Sequence, residues 1–203
     1  MNQIATKLIP VVHPGAVTRI ETKSKTIFVT FDDGPTPECL PEILAILNRF
    51  QAKASFFCVG ENITRHPKLV EAMLQDGHKV YNHSQRHEKG WKTSNFSYFK
   101  SILEAEENCP HKGVLRPPYG KMTPAQFQSL KKRFKIVYWD VLTEDYNPAL
   151  SVEECFQKST KASAGSIVVF HDNIKAKKTV LETLPLFLDH YQKQGFTFKT
   201  LPY

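Results

Sequence analysis

The sequence predicts an α/β fold built on a mainly parallel sheet with helices outside it. Strand-like and helix-like segments alternate along the 203 residues, the pattern of β–α–β units rather than hairpins. Seven short β-rich runs supply the sheet. The length fits one domain with a proper core, and no internal repeat or low-complexity tract divides the chain. Residues 1–25 read as a lead-in and 26–203 as a single domain.

The elements follow in order. The first strand, 26–31, is a run of β-formers, Thr26-Ile27-Phe28-Val29, that leads into two acids and a Gly-Pro turn. The helix predicted over 38–50 repeats Leu40, Ile43, Leu44 and Leu47 at helical spacing. A strand at 54–59 precedes a helix at 67–76, which stops at Asp76-Gly77. Strand 78–82, helix 98–108, strand 114–116 and helix 124–134 come next. Strand 136–140, helix 152–163, strand 166–171, helix 177–194 (stopped by Gln194-Gly195) and strand 196–201 complete the chain. About seven strands suit a closed barrel or an open wound sheet, and periodicity does not choose between them.

Composition narrows the function classes. Hydrophobic residues make up 41% and charged residues 23%, as in a soluble globular chain. No run of about 18 apolar residues exists, so no membrane span is expected. The formal charge of +7 favours anionic partners such as acidic polymers or membrane surfaces. Basic residues are read as spread along the chain, for example at Lys131-Lys132-Arg133 and 175–178. They lack the aromatic interleaving of a nucleic-acid platform, so no nucleic acid is expected. No tail, repeat or heptad marks an obligate protein partner. Residues 1–12 make a poor signal peptide, interrupted by Pro10. A cytoplasmic location is therefore the default expectation, and the cell envelope the alternative if a leader was removed. Cys39, Cys58, Cys109 and Cys155 lack CxxC spacing and are expected to be buried free thiols.

Four segments carry chemistry. Asp32 and Asp33 end the first strand, where side-chain alternation would point them opposite ways. One can hold a cation while the other works beside it as a base. His83 and His87 in Asn82-His83-Ser84-Gln85-Arg86-His87 lie one helical turn apart, so one face can present both rings. Asp33, His83 and His87 together offer one oxygen and two nitrogens and leave room for water and substrate. Two imidazoles and a carboxylate suit zinc first, with cobalt, nickel or iron as alternatives. Arg116 leads the stiff turn Arg116-Pro117-Pro118-Tyr119-Gly120. His171 ends the strand Val168-Val169-Phe170-His171. Trp91, close after the histidine pair, offers either a stacking surface or a packing one.

In that order and spacing these segments resemble the polysaccharide deacetylase family (carbohydrate esterase family 4, the NodB-homology domain), from about residue 26 to about 195. The resemblance implies a distorted (β/α) barrel of seven strands and a hydrolase that removes N-acetyl groups from amino-sugar glycans with one divalent metal ion. It implies that Asp32 is the general base, that Asp33, His83 and His87 hold the metal, and that Arg116 orients the base. It further implies that the backbone N–H at Tyr119 meets the oxyanion and that His171 is the general acid. The family's Asp-x-x-Asp-Trp segment is altered here. Aligned on Asp145, it places Leu142 at the first acid and Tyr146 at the tryptophan. Asp145, ahead of Asp140, is expected to tune His171 or Arg116. Pro117, Tyr119, Leu142, Tyr146 and Trp91 are expected to face substrate. Ester-linked acetyl groups, as on xylan, and small cyclic amides are alternative substrates implied by the same site. A sugar-binding module on a degenerate site, or a regulator working through protein contacts, are the non-enzymatic alternatives.

Overall fold

The computed structural model describes residues 9–203. The lead-in thus begins, for structural purposes, at residue 9, and the first eight residues of the signal-peptide reading lie outside the described residues. Eight strands form one sheet: β1 (Thr26–Asp33), β2 (Ala54–Cys58), β3 (Lys79–Asn82), β4 (Val114–Leu115), β5 (Lys135–Ile136), β6 (Val141–Leu142), β7 (Ile167–His171) and β8 (Thr197–Phe198). Seven follow the order β5-β4-β3-β2-β1-β7-β6, and β8 pairs with the start of β1. Every one of these pairings is parallel. The helices are α1 (Leu40–Arg49), α2 (Gly60–Arg65), α3 (Pro67–Gln75), α4 (Asn95–Asn108), α5 (Pro124–Leu130), α6 (Val152–Ser159) and α7 (Lys177–Gln192), preceded by a single turn at Ile9–Val12. None is long and apolar enough to cross a membrane.

Alternation along β1 sorts its side chains into two layers. Ile27, Val29 and Phe31 join Phe56, Phe170 and the inner faces of α1 and α7 in an outer core. Phe28 faces the other way, into an inner core with Phe57, Tyr81, Leu115, Tyr138 and Val169. All four cysteines are buried and free, as expected.

The sheet curls but does not close on itself, because β5 and β6 do not pair. The run expected as one strand over 136–140 splits there. Tyr138 donates its N–H to Val17, and Asp140 donates its N–H to Ile167. The chain therefore crosses the gap instead of extending an edge. The lead-in fills the same gap: Val17 bridges Val137, and Arg19 bridges Ser166. The guanidinium of Arg19 reaches Asp140, Ser163 and Ser166, while His13 stacks on Phe127 and bonds the Tyr138 hydroxyl at 2.8 Å.

Several boundaries differ from expectation. The helix expected at 98 starts at Asn95, because the Ser94 hydroxyl accepts from Ser97 N–H and caps it. The three following helices stop at Leu130, Ser159 and Gln192 in turns of their own. Helix α2 went unread because only Gly60 and Ile63 of its six residues are buried, too few to show a period.

Candidate active site

The strand register brings the motif residues to one level. Asp32 is paired with His171 across β1 and β7, and Asp33 with Cys58, which in turn is paired with Asn82, the residue before His83. They therefore meet at the C-terminal edge of the sheet, where the following loops converge. A cavity of about 770 Å³ opens there, lined among others by Asp32, Asp33, His83, His87, Tyr119 and His171.

Asp32 follows the inward alternation of Phe28 and Thr30. Arg116 meets it inside the curl, fully buried. Its Nη1 donates to Asp32 Oδ1 at 2.6 Å and to Thr30 Oγ1 at 2.8 Å, and its Nη2 donates to the Tyr138 carbonyl at 3.1 Å. The guanidinium also lies 3.9 Å from the Phe57 ring centroid. A cation so fixed orients the carboxylate and offsets the cost of burying it.

Asp33 does not obey the alternation. Its φ of +82° turns the chain, so its carboxylate enters the same cavity as Asp32 instead of the opposite face. The next residue, Gly34, is pressed against Asp172: a Cβ there would sit 2.0 Å from Asp172 Oδ2. Burial would push the Asp33 carboxyl up. Hydrogen bonding to His83 and His87, with the charge of His171, outweighs that and holds it well below its ordinary value.

His83 and His87 do not share a helix face. Residues 83–87 form a loop with positive φ at Ser84 (+63°) and His87 (+56°), which brings the ring centroids to 5.0 Å. Glu88 ties this loop down by accepting from the hydroxyls of Ser84 and Ser101. His83 Nδ1 sits 2.9 Å from the Arg116 carbonyl. A carbonyl can only accept, so Nδ1 donates to it, and Nε2 is the ring nitrogen left facing Asp33. Asp33 Oδ1 lies 3.6 Å from His83 Nε2 and 3.1 Å from His87 Nε2, and all three ligand atoms fall within 4.8 Å of one another. Donors bonded at about 2 Å to one ion stand about 3 to 3.5 Å apart. The donor set and its spacing fit a divalent ion.

His171 faces this cluster from β7. Asp145, buried, accepts from both His171 Nδ1 (2.7 Å) and His171 N–H (2.8 Å). Burial alone would lower the imidazole's pKa. The charge and hydrogen bond of Asp145 overcome it, with Asp33 and Asp32 adding, and raise it to about 9. Asp140, the other carboxylate of that segment, lies with Arg19 and Ser166 and bonds to neither His171 nor Arg116.

Among the residues expected at substrate, Tyr119, Leu142 and Tyr146 line the cavity. Tyr119 sits at φ +59° in the 118–120 turn with its ring 4.5 Å from that of His87. Pro117 is buried in the turn and Trp91 donates to the Met122 carbonyl; neither lines the cavity. Sequence reasoning missed Asn173, whose Nδ2 donates to Asp33 Oδ2 at 2.6 Å. It also missed Asn62, which donates to the Asp33 carbonyl, and the lining residues Trp139 and His66. Asn173 lies two residues past His171, just beyond a strand end, and that position was its one sequence signal.

Fold and site together define a parallel α/β barrel-like protein with a candidate mononuclear metal centre at the C-terminal strand ends. The polysaccharide deacetylase family model matches residues 19–134. The chain is similar to a peptidoglycan-N-acetylglucosamine deacetylase of Bacillus cereus, 32% identical over 191 residues, covering 90% of this chain and 89% of that one. It is 27% identical over 199 residues to a chitooligosaccharide deacetylase of Bradyrhizobium sp. (strain ANU 289), covering 88% and 90%. Its fold superposes with a TM-score of 0.86 on the peptidoglycan N-acetylglucosamine deacetylase Bc1960 in complex with 4-naphthalen-1-yl-N-oxidanyl-benzamide, at 27% identity over 93% of this chain and 91% of the other. The chain belongs to the polysaccharide deacetylase family.

Proposed function

We propose that this protein is a metal-dependent hydrolase that removes N-acetyl groups from amino-sugar glycans and releases acetate. The observation that supports the reading is one cavity that brings together a carboxylate held by a guanidinium (Asp32–Arg116), three groups that could hold a metal ion (Asp33, His83 and His87) and a carboxylate-held imidazole (His171–Asp145). Asp33, His83 and His87 would hold the ion, with zinc favoured by two imidazoles and one carboxylate. The chemistry a divalent ion supplies in such a site is polarisation of a carbonyl and acidification of a water.

The chain's own groups do the rest. Asp32 takes a proton from the attacking water, aimed by Arg116. The backbone N–H at Tyr119 donates to the oxygen that gains charge. His171, kept protonated by Asp145, gives a proton to the departing nitrogen as the C–N bond breaks. Leu142 and Tyr146 offer apolar surface to the acetyl methyl. The products are acetate and a free amino sugar.

The test is acetate release from N-acetylglucosamine oligomers after metal removal and re-addition of zinc, cobalt or nickel. Metal-dependent release is expected, and Asp32→Asn should abolish it while leaving metal binding largely intact. Normal turnover in Asp32→Asn would refute the base assignment. Release from ester-linked acetyl groups alone would move the reading to an O-acetyl esterase, and no release with any acetylated glycan would leave a binding module.

A further inference from the structure

The positive charge of this protein is not spread along the chain. Of 27 Lys and Arg and 20 Asp and Glu, residues 108–139 hold seven basic residues and no acidic one. The rest of the chain holds 20 of each and is formally neutral. The whole excess of +7 therefore belongs to one segment.

Within it, Arg116 is buried against Asp32, Lys112 binds the carbonyls of Glu106 and Glu107, and Lys121 lies over Trp91 at the catalytic cavity. The other four are exposed: Lys131, Lys132 and Arg133 in the turn between α5 and β5, and Lys135 at the first position of β5. With Pro14, Gly15 and Phe127 they line a second cavity of about 380 Å³. None of the four forms an ion pair among the described residues. They lie at the N-terminal end of β5, whereas the candidate catalytic residues lie at the C-terminal ends of β1, β3 and β7. The two cavities occupy opposite ends of the sheet.

We propose that this cationic hollow anchors an anionic polymer through its phosphate or carboxylate groups. Four unpaired cations around a concavity attract oxyanions, and closely spaced like charges are relieved when a polyanion binds and its counterions are released. The local aromatics do not offer a stacking platform. Lys131 lies 5.5 Å from the Phe127 centroid, Arg133 5.9 Å from Phe134 and Lys135 5.5 Å from Tyr203, so each ring already has one of the protein's own cations against it. Of these rings only Tyr203 is exposed, and a single ring does not make a platform for successive bases. A lipid surface would take apolar side chains inserted among the cations, but Phe127 and Phe134 are buried. Deacetylation at the catalytic cavity does not require this hollow, and polyanion binding here does not require deacetylation.

The experiment is affinity electrophoresis of the full chain through gels containing polyphosphate, polygalacturonate or neutral dextran. Retardation by both polyanions and not by dextran is expected, with the logarithm of affinity falling against the logarithm of salt at a slope of about −2 to −3. The triple variant K131E/K132E/R133E should bind at least tenfold more weakly, and K131Q/K132Q/R133Q by an intermediate amount. Both should keep wild-type turnover on short neutral oligomers. The same change in net charge at Lys68, Lys100 and Lys193 should leave binding in place. Equal binding by the triple variants, no binding at about 50 mM salt, or tighter binding to phosphatidylglycerol vesicles or single-stranded DNA than to either polymer would overturn the proposal.

Discussion

Asp33 owes its place to two neighbours of different kinds. Its positive φ brings the carboxylate into the cavity, and Asn173 holds the oxygen that the histidines do not face. Asn173 Oδ1 also accepts from Ala176 N–H at the approach to α7, so the amide is fixed at both ends. Asn173→Ala should weaken zinc binding by about 10- to 100-fold, measured by competition with a chromogenic chelator, because groups that orient a ligand contribute on this scale. Asn173→Ser, which keeps a donor, should restore part of the affinity. Wild-type affinity in the alanine variant would leave Asn173 a helix-end residue only.

His171 gives a second expectation at this scale. Titrated by NMR in the metal-free protein, its imidazole should lose its proton near pH 9. Asp145→Asn removes the charge that opposes burial, so that value should fall. The sign for stability follows: the folded value lies above the ordinary 6.5, so the pair's contribution is fully present below about pH 6.5 and is lost as pH rises through 9. That Asp32, Asp33, His83, His87, Arg116 and His171 gather at one place was legible because each ends a strand or sits in a motif. Asn173 was not, since a single asparagine after a strand looks like any turn residue.

At the level of elements, the strands and long helices were readable from hydrophobic spacing, and the loops that build the site were not. Alternation predicts opposite faces for Asp32 and Asp33, and helical spacing predicts one face for His83 and His87. Both rules fail at residues with positive φ. Asp33, Ser84, His87, Tyr119 and Glu144 are five of the six such non-glycine residues among those described, and all lie in the motif segments. Each such conformation costs about 1 to 3 kcal/mol and persists only where packing enforces it. The packing at Gly34 can be tested. Gly34→Ala drives a Cβ into Asp172 and should lower stability by about 1 to 3 kcal/mol in urea denaturation. It should also weaken metal binding through the adjoining Asp33. Shortening the obstacle in Gly34→Ala/Asp172→Ala should recover part of the stability, a coupling expected only if the two groups collide.

Across the whole molecule, curvature was harder to read than topology. The β–α order was visible in the sequence, but the choice between a closed barrel and an open sheet depends on which groups pair across β5 and β6, and no local pattern reports that. The lead-in occupies that gap. Its residues belong to the domain: Ile9 and His13 are buried and Arg19 joins Asp140 to Ser166. A chain starting at Thr26 should therefore keep its motifs and yet lose solubility. Without residues 9–25 the backbone groups of Ile136, Tyr138 and Gly165 that bond to Val17 and Ile20 become a bare strand margin, open to the same margin of another copy. Sedimentation of the shortened chain should show concentration-dependent self-association where the full chain shows none of that dependence. The segment that reads as a preface is thus also the guard that keeps one curled sheet from growing into many.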